Sequence, residues 1–168
     1  MSGVAHQRLS QERKQWRKDH PFGYVAKPKT NSDGSVDMMH WQCRIPGKKG
    51  TIWEEGLYPV DLRFSTDYPA LPPVARFPAG FFHPNIYDDG KVCLSILNPE
   101  QSWQPSISVK QILVGIAELL TEPKNSDAAQ TNAYEIYKRK DKSLYERKVR
   151  VQARKYAESS HENVKPGQ

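Results

Sequence analysis

The sequence predicts an α+β domain: an N-terminal helix, a four-stranded antiparallel sheet, a long irregular loop and then three helices. Two observations lead to this fold class. Strand-like runs separated by short turns follow one amphipathic helix, and helix-like periods fill the last third of the chain. Such segregation of strands from helices is typical of α+β domains. Among the 168 residues, we assign 1–158 to a single domain and 159–168 to a polar, flexible tail.

The first element is a basic amphipathic helix that Ser2 can cap. Its apolar side contains Ala5, Leu9 and Trp16, and the following Asp19-His20-Pro21 ends it. Gly-, Pro- and Asn-rich turns then separate four β-favouring runs, at residues 22–27, 36–45, 57–64 and 74–77. Connections this short favour antiparallel pairing of consecutive strands.

Capping patterns locate the three later helices. Ser108 and Gln111 have capping-box spacing before an apolar helical period, and Asp127 and Gln130 repeat that spacing further along the chain. Asp141 can cap the last helix. We therefore predict helix starts next to residues 108, 127 and 141.

Cysteine content and hydropathy exclude several classes of protein. Cys43 and Cys93 are the only two cysteines, so they build no disulfide framework, and without clustered histidines they predict no zinc site. No apolar run is long enough to span a membrane, and the N-terminus lacks the pattern of a secretory signal. We expect a protein of the nucleus and cytoplasm, with no membrane partner and no bound cofactor.

The formal net charge of +6 is concentrated at the two ends of the chain. Residues 138–155 contain nine Lys or Arg against two acidic residues, and residues 1–20 are also basic. A charge run of this kind is either a solvated helix face or a docking surface for an acidic partner or nucleic acid. Because no recognition motif accompanies the charge, nucleic acid is not the expected partner.

The chemistry-bearing residues lie in the irregular segment between the last strand and the second helix. Here the chain reads Phe-His-Pro-Asn-Ile-Tyr-Asp-Asp-Gly-Lys-Val-Cys-Leu-Ser-Ile-Leu over residues 82–97, followed by Trp103-Gln104-Pro105. Ordered loops of such length are uncommon unless they carry function. We therefore treat this segment as a candidate active-site loop.

These motifs resemble the ubiquitin-conjugating enzyme family, and the resemblance covers residues 5–157. Within that family the chain is most similar to the SUMO-conjugating branch, through its sequences at 17–23, 45–48 and 92–97. The resemblance implies that residues 1–158 are one catalytic core. It also implies a transferase that takes SUMO from its activating enzyme as a thioester on Cys93 and passes it to a target lysine as an isopeptide.

The same resemblance implies a set of partners. They are SUMO, bound both covalently and noncovalently, the SUMO-activating enzyme, SUMO ligases, and target proteins with acceptor lysines. ATP is used by the activating enzyme and not by this chain. Three other interpretations stay open: a conjugating enzyme for ubiquitin or another modifier, a noncatalytic binding module of the same fold, and a basic nucleic-acid-binding protein.

A thiolate suits this chemistry because it is both a good nucleophile and a good leaving group. Cys93 can therefore accept an acyl group from another thioester and keep it reactive toward an amine. The plainer alternative, a buried inert thiol, is the interpretation we give to Cys43, which lies within a strand pattern. We assign His83 to loop structure, although Cys, His and Asn together would also suggest a thiol protease.

The resemblance implies further catalytic residues. Asn85 would stabilise the oxyanion that forms when the amine attacks, or alternatively it shapes the loop through backbone hydrogen bonds. Tyr87 and Asp127 would line the approach of the substrate lysine, with Asp127 accepting a hydrogen bond from the amine. Asp127 has a simpler alternative role as the N-cap of the third helix.

Two surfaces complete the predicted sites. Docking of the activating enzyme and of noncovalent SUMO is implied for the basic N-terminal face formed by Arg13, Lys14, Arg17, Lys18 and His20. Reading of the motif around the target lysine is implied for Arg76, Asp89, Lys91 and Ala128.

This chain departs from the pattern of the SUMO branch on the motif-reading surface. The branch often has Lys at the position of Val74, Ser at Asp89 and Pro at Ala128, and Asp88 adds a second carboxylate here. Whether these differences change the preferred target motif stays open.

Overall fold

The computed structural model describes the backbone of residues 3–162 and the side chains of residues 3–157. The helices are α1 (Val4–Lys18), α2 (Val109–Thr121), α3 (Thr131–Lys138) and α4 (Ser143–Glu162), with a short 3-10 helix at Ser95–Leu97. The strands are β1 (Val25–Thr30), β2 (Val36–Pro46), β3 (Leu57–Arg63) and β4 (Val74–Arg76). The predicted α+β order is confirmed.

The four strands form one antiparallel sheet in the order β1-β2-β3-β4, as a meander of short connections requires. Cys43 lies in the middle of the sheet, opposite Ala26 on β1 and Val60 on β3. Apolar side chains of the sheet and of α2 share one core, in which Trp41, Leu62, Ile112 and Ile116 are fully buried. The burial of Cys43 in this core agrees with its predicted structural role.

The N-terminal part differs from the prediction at two positions. Helix α1 is capped by Gly3, without a side-chain hydrogen bond, and the predicted cap Ser2 lies outside the described residues. Strand β1 begins at Val25 and not at residue 22, because the Tyr24 N–H donates to the Pro21 carbonyl and Gly23 has a φ of +87°. A positive φ at that glycine makes a turn of the segment that we predicted as the start of a strand.

The capping box of α2 is confirmed, with reciprocal hydrogen bonds between Ser108 and Gln111. The box predicted at Asp127 is wrong, because α3 begins at Thr131 with Gln130 as its N-cap. The backbone N–H groups of Ala129 and Gln130 both donate to the Pro84 carbonyl. Docking of this segment onto the active-site loop therefore replaces the predicted first turn of the helix.

The last helix begins next to Asp141, which we predicted as its cap. The Asp141 carboxylate accepts a hydrogen bond of 2.9 Å from the backbone N–H of Ser143, the first residue of α4, as expected for a residue that caps this end. The helix continues to Glu162, four residues past the domain limit that we placed at 158. The remainder of the predicted tail, residues 163–168, lies outside the described residues.

A buried carboxylate fixes α1 against the start of α2. Glu12 is only 7% exposed, and its Oε1 accepts hydrogen bonds from the Arg8 guanidinium and from the backbone N–H of Val109. Arg8 also donates to the carbonyl of Ile107. A carboxylate at a helix N-terminus is favourable because of the helix dipole. The basic N-terminal helix is therefore rigidly attached to the core.

Candidate active site

Cys93 is held by a small hairpin within the active-site loop. Its backbone N–H donates to the Asn85 carbonyl at 2.9 Å, and Ile86 and Val92 form an antiparallel bridge. The turn closes at Gly90, whose φ is +92° and where an added Cβ would lie 1.9 Å from the Phe77 carbonyl oxygen. Glycine is therefore required at this turn, which places Asn85 and Cys93 side by side.

The Cys93 thiol is half-buried and has no disulfide partner. Loss of solvation raises its pKa above the ordinary cysteine value, and the nearby Asp127 carboxylate raises it further. The Tyr87 hydroxyl and the Lys91 ammonium act in the opposite direction and lower the pKa. The net effect is a thiol that is mostly protonated at neutral pH. Nucleophilic attack therefore depends on proton removal during the reaction.

Two predicted site residues, Tyr87 and Asp127, lie near this thiol and affect its pKa. Tyr87 is 44% exposed, and its pKa is raised first by the Cys93 sulfur and also by the Asp127 carboxylate. Asp127 is half-buried and makes no capping bond to α3. Tyr87 and Asp127 are thus both close enough to the sulfur to change the pKa of the Cys93 thiol, which brings a hydroxyl and a carboxylate to this site. Their catalytic roles stay predictions.

The Asn85 side chain is fully buried and fully hydrogen-bonded. Its Nδ2 donates to the carbonyls of Lys124 and Asp127, at 2.8 and 2.7 Å. Its Oδ1 accepts from the Lys124 N–H at 2.8 Å. This amide ties the segment carrying Asp127 to the hairpin carrying Cys93. An Nδ2 proton can donate to an oxyanion only if its hydrogen bond to the carbonyl of Lys124 or Asp127 is broken.

His83 is a structural residue, as we predicted. Its Nε2 lies 2.8 Å from the Leu119 carbonyl at the end of α2, and its Nδ1 accepts a hydrogen bond from the Asn85 N–H at 3.0 Å. These two partners define the neutral Nε2–H form. Burial lowers the pKa of this imidazole to about 4. A buried neutral histidine occupied at both nitrogens does not act as the base of a thiol protease.

Two glutamines that clamp the loop were missed as functional residues. Gln130 donates from Nε2 to the carbonyls of Phe81 and Ile86, on either side of the His83-Pro84-Asn85 turn. Gln152, on α4, accepts from the Phe82 N–H at 2.7 Å and donates to its carbonyl at 3.0 Å. The one available signal was a polar residue within the apolar stripe of the last helix.

The predicted motif-reading residues lie on the hairpin and at its edge. The backbones of Arg76, on β4, and Lys91 form an isolated antiparallel β-bridge. The Nε of the Arg76 side chain lies 3.9 Å from the Asp89 carboxylate. The other Asp89 oxygen accepts from the Lys91 backbone N–H at 3.0 Å. Ala128 is exposed beside the half-buried Asp127. Asp89 therefore offsets part of the positive charge that Arg76 brings to this surface.

The predicted N-terminal docking residues occupy the solvent side of α1. Lys14, Arg17 and Lys18 are exposed and Arg13 is half-buried. His20 follows the helix, where its ring stacks on Trp16 and its Nδ1 lies 2.6 Å from the Trp16 carbonyl. This histidine therefore also closes the C-terminal end of α1.

Neither a metal-binding cluster nor a membrane-spanning helix is present among the described residues. Within residues 3–157, no group of three or more His, Cys, Asp or Glu side chains is placed to hold a metal ion. No helix in the described part of the chain has both the length and the apolar character needed to cross a lipid bilayer.

The fold and the Cys93 site define a class of protein that comparison also identifies. The model of the ubiquitin-conjugating enzyme family matches residues 8–153. The chain therefore belongs to the ubiquitin-conjugating enzyme family. It is 54% identical over 155 residues to a SUMO-conjugating enzyme of Arabidopsis thaliana, covering 92% of this chain and 96% of that relative. It is 51% identical over 157 residues to a SUMO-conjugating enzyme of Caenorhabditis elegans, covering 94% of each.

The surroundings of Cys93 give a prediction about thiol reactivity. Tyr87→Phe should raise the Cys93 pKa and slow alkylation by iodoacetamide at neutral pH, because it removes a group that lowers this pKa. Asp127→Asn should do the reverse, since it removes a charge that raises the pKa. The measurement is the pH dependence of Cys93 alkylation, followed by mass spectrometry of the peptide that contains it.

Two matched substitutions elsewhere serve as controls. Tyr24→Phe and Asp67→Asn remove the same chemical groups outside the active site, so both should leave the alkylation profile of Cys93 unchanged. Shifts in the same direction for Tyr87→Phe and Asp127→Asn would contradict the arrangement described here.

Proposed function

We propose that this protein is a SUMO-conjugating enzyme that carries SUMO as a thioester on Cys93 and transfers it to a lysine of a target protein. The observation that carries this proposal is the half-buried, unpaired Cys93 thiol, whose pKa is affected by the nearby Tyr87, Asp127 and Lys91. Membership of the ubiquitin-conjugating enzyme family supports the chemistry. The high identity to two SUMO-conjugating enzymes supports the choice of modifier.

The first step exchanges one thioester for another. The Cys93 sulfur, after loss of its proton, attacks the carbonyl carbon that links SUMO to a cysteine of the activating enzyme, and that cysteine leaves as a thiolate. One carbon–sulfur bond forms and one breaks, so the step is nearly isoenergetic. The raised Cys93 pKa means that the proton must pass to solvent or to the departing thiolate.

The second step forms the isopeptide bond. A neutral lysine amine attacks the same carbonyl carbon, an oxyanion forms, and the Cys93 thiolate leaves as the excess proton departs. Lysine has a reference pKa of about 10.4, so little of it is neutral at pH 7. In our proposal the Asp127 carboxylate accepts a hydrogen bond from this amine and orients it, while Tyr87 forms the wall of its approach.

The experiment that tests the proposal is a charging reaction run in parallel with two modifiers. Purified protein is incubated with ATP and either SUMO and its activating enzyme, or ubiquitin and its activating enzyme. We expect a SUMO adduct on a non-reducing gel that disappears on reduction. Charging with ubiquitin alone would keep the family chemistry and refute the SUMO assignment; no adduct with either would favour a noncatalytic binding module.

The basic N-terminal face is proposed to dock the activating enzyme and a noncovalent SUMO. Exposed and half-buried cations on the solvent side of a helix speed encounter with an acidic partner, and salt weakens the effect. Replacing Arg13 and Arg17 with Glu should slow charging of Cys93 by about tenfold at physiological salt, because the steering charge is inverted. Initial charging rates at two salt concentrations measure this.

A control pair makes the same charge change elsewhere. Arg139→Glu with Lys140→Glu alters two exposed residues between α3 and α4, so the net charge falls equally but α1 is unchanged. The control pair should charge at nearly the rate of the unaltered protein. Equal slowing of both variants would refute a docking role for this face.

Target selection is proposed to lie with Arg76, Asp89, Lys91 and Ala128 on the surface beside Cys93. Arg76 and Lys91 favour an acidic residue near the acceptor lysine, and Asp89 weakens that preference through its contact with Arg76. SUMO ligases and targets would complete the set of partners, and the protein would act in the nucleus and cytoplasm. Comparing modification of target peptides with an acidic and a neutral residue after the acceptor lysine tests the preference.

A further inference from the structure

A groove separate from the Cys93 site lies between α4 and the start of the active-site loop. Its volume is about 640 Å³, within the range of ligand-binding clefts. Its apolar part is formed by Phe82, Leu144 and Val151, and Val151 is 53% exposed on the outer side of the helix. An apolar side chain that points outward from an otherwise polar helix face offers an anchor point for a partner.

The sides of this groove carry one sign of charge. Arg147, Lys148 and Lys155 line it, and no aspartate or glutamate is among the described residues that form its walls. None of these three cations makes an ion pair with a carboxylate within residues 3–157. The groove therefore combines an apolar floor with cations that are available to an acidic ligand.

The groove is directly connected to the active-site loop. Gln152 lines it and forms hydrogen bonds with both the N–H and the carbonyl of Phe82. Gln130 also lines it and donates hydrogen bonds to the carbonyls of Phe81 and Ile86. A ligand in the groove would thus sit against the segment that leads, within a few residues, to Asn85 and Tyr87.

We propose that this groove binds an acidic polypeptide segment that carries an apolar anchor residue. The carboxylates of the segment would face Arg147, Lys148 and Lys155, and its apolar residue would cover Val151 and Leu144. If the proposed conjugating function holds, such a segment on a target protein would be held beside the active-site loop while its lysine reacts. This inference rests on the groove itself, and only its consequence for target choice rests on the proposed function.

A polypeptide fits the groove better than a nucleic acid does. Binding of single strands relies on exposed aromatic faces on which bases stack. Among the described residues, Phe82 is the only aromatic side chain lining the groove, and the Lys148 ammonium lies over its ring at 5.8 Å from the centroid. The apolar floor makes no polar contact with a phosphate backbone, whereas it can bury a leucine or phenylalanine side chain.

The test is direct binding of a short fluorescein-labelled peptide in which glutamates alternate with leucines, measured by anisotropy with the full-length protein. Arg147→Gln with Lys148→Gln should weaken binding about tenfold, and Val151→Gln about fivefold, because charge pairing and apolar burial are lost separately. Replacing the leucines of the peptide with serines should weaken its binding as Val151→Gln does.

The matched control is Arg150→Gln with Arg154→Gln, which removes the same charge from α4 but lies in a different cavity beside Glu54 and Glu55. This pair should change binding less than about twofold. Thermal melting verifies that each variant folds, and thioester charging on Cys93, measured separately, should be unchanged in all of them.

Three outcomes would overturn the proposal. They are absence of peptide binding, equal weakening by the two charge-removal pairs, and displacement of the peptide by single-stranded DNA at lower concentration than by unlabelled peptide. None of them depends on whether Cys93 accepts SUMO, so failure of this inference is distinguishable from failure of the proposed function.

Discussion

Replacing Cys93 with serine is expected to abolish transfer of the modifier to lysine. The serine hydroxyl introduced there can at most accept SUMO as an oxygen ester, because an alcohol is far less acidic than a thiol and a weaker nucleophile at neutral pH. An alkoxide is a far poorer leaving group than a thiolate. We therefore expect discharge to lysine to fall by at least about 10³-fold, equivalent to roughly 4 kcal/mol of activation free energy.

The measurement has two parts. A non-reducing gel should show that the reductant-sensitive adduct of the unaltered protein is lost, or becomes resistant to reductant, in Cys93→Ser. Single-turnover discharge to free lysine then gives the rate of the second step. Cys43→Ala is the control: this thiol is buried in the sheet, so its removal should leave a reductant-sensitive adduct on Cys93. A reductant-sensitive adduct that survives in Cys93→Ser would refute Cys93 as the carrier.

The sequence predicted those parts of the fold whose signals are local. Ser108 and Gln111 begin α2 as expected, because both partners of the capping box lie within the same turn. Asp127 and Gln130 have the same spacing but do not begin a helix there. The carbonyl of Pro84, more than forty residues away in the chain, accepts hydrogen bonds from the N–H groups of Ala129 and Gln130. A tertiary contact of this kind prevents the helix start that the local spacing predicts. The local sequence around residue 127 contains no signal of that contact.

The candidate site was predicted in part for the same reason. Cys93, Tyr87 and Asn85 lie on one hairpin whose turn is set by Gly90, so a single sequence segment contains them. Gln152 was not recognised, because its function is to bond the Phe82 backbone from a helix 70 residues further on. The sequence shows only that a polar residue interrupts an apolar stripe. The three-dimensional structure is needed to show which backbone groups it satisfies.

Asn85→Ala is expected to have the second largest effect. It removes all three hydrogen bonds that join the amide to Lys124 and Asp127, so the free energy of unfolding should fall by about 1–3 kcal/mol. Discharge of the Cys93 thioester to lysine should fall by about 10²–10³-fold, the size expected when an oxyanion donor is lost. Chemical denaturation and single-turnover discharge measure these two effects. Asn125→Ala, at an exposed position, is the matched control and should alter neither.

The structure provides a way to separate the two roles of Asn85. Gln130→Ala should loosen the same region, because it removes the bonds to the Phe81 and Ile86 carbonyls, but it leaves the Asn85 amide in place. If Asn85 acts by ordering the segment that holds Asp127, Gln130→Ala will reproduce much of the loss in discharge. Hydrogen exchange of residues 124–130 will then rise in both variants.

If Asn85 acts mainly as the oxyanion donor, Gln130→Ala will lose little activity even though its hydrogen exchange rises. In that case one Nδ2 proton must leave the carbonyl of Lys124 or Asp127 as the lysine attacks. Exchange of one hydrogen bond for another costs little when the new acceptor carries a full negative charge, because charge-assisted hydrogen bonds are roughly twice as strong as neutral ones. The fully bonded amide seen here is therefore compatible with catalysis by the same group, and the comparison with Gln130→Ala decides which contribution dominates.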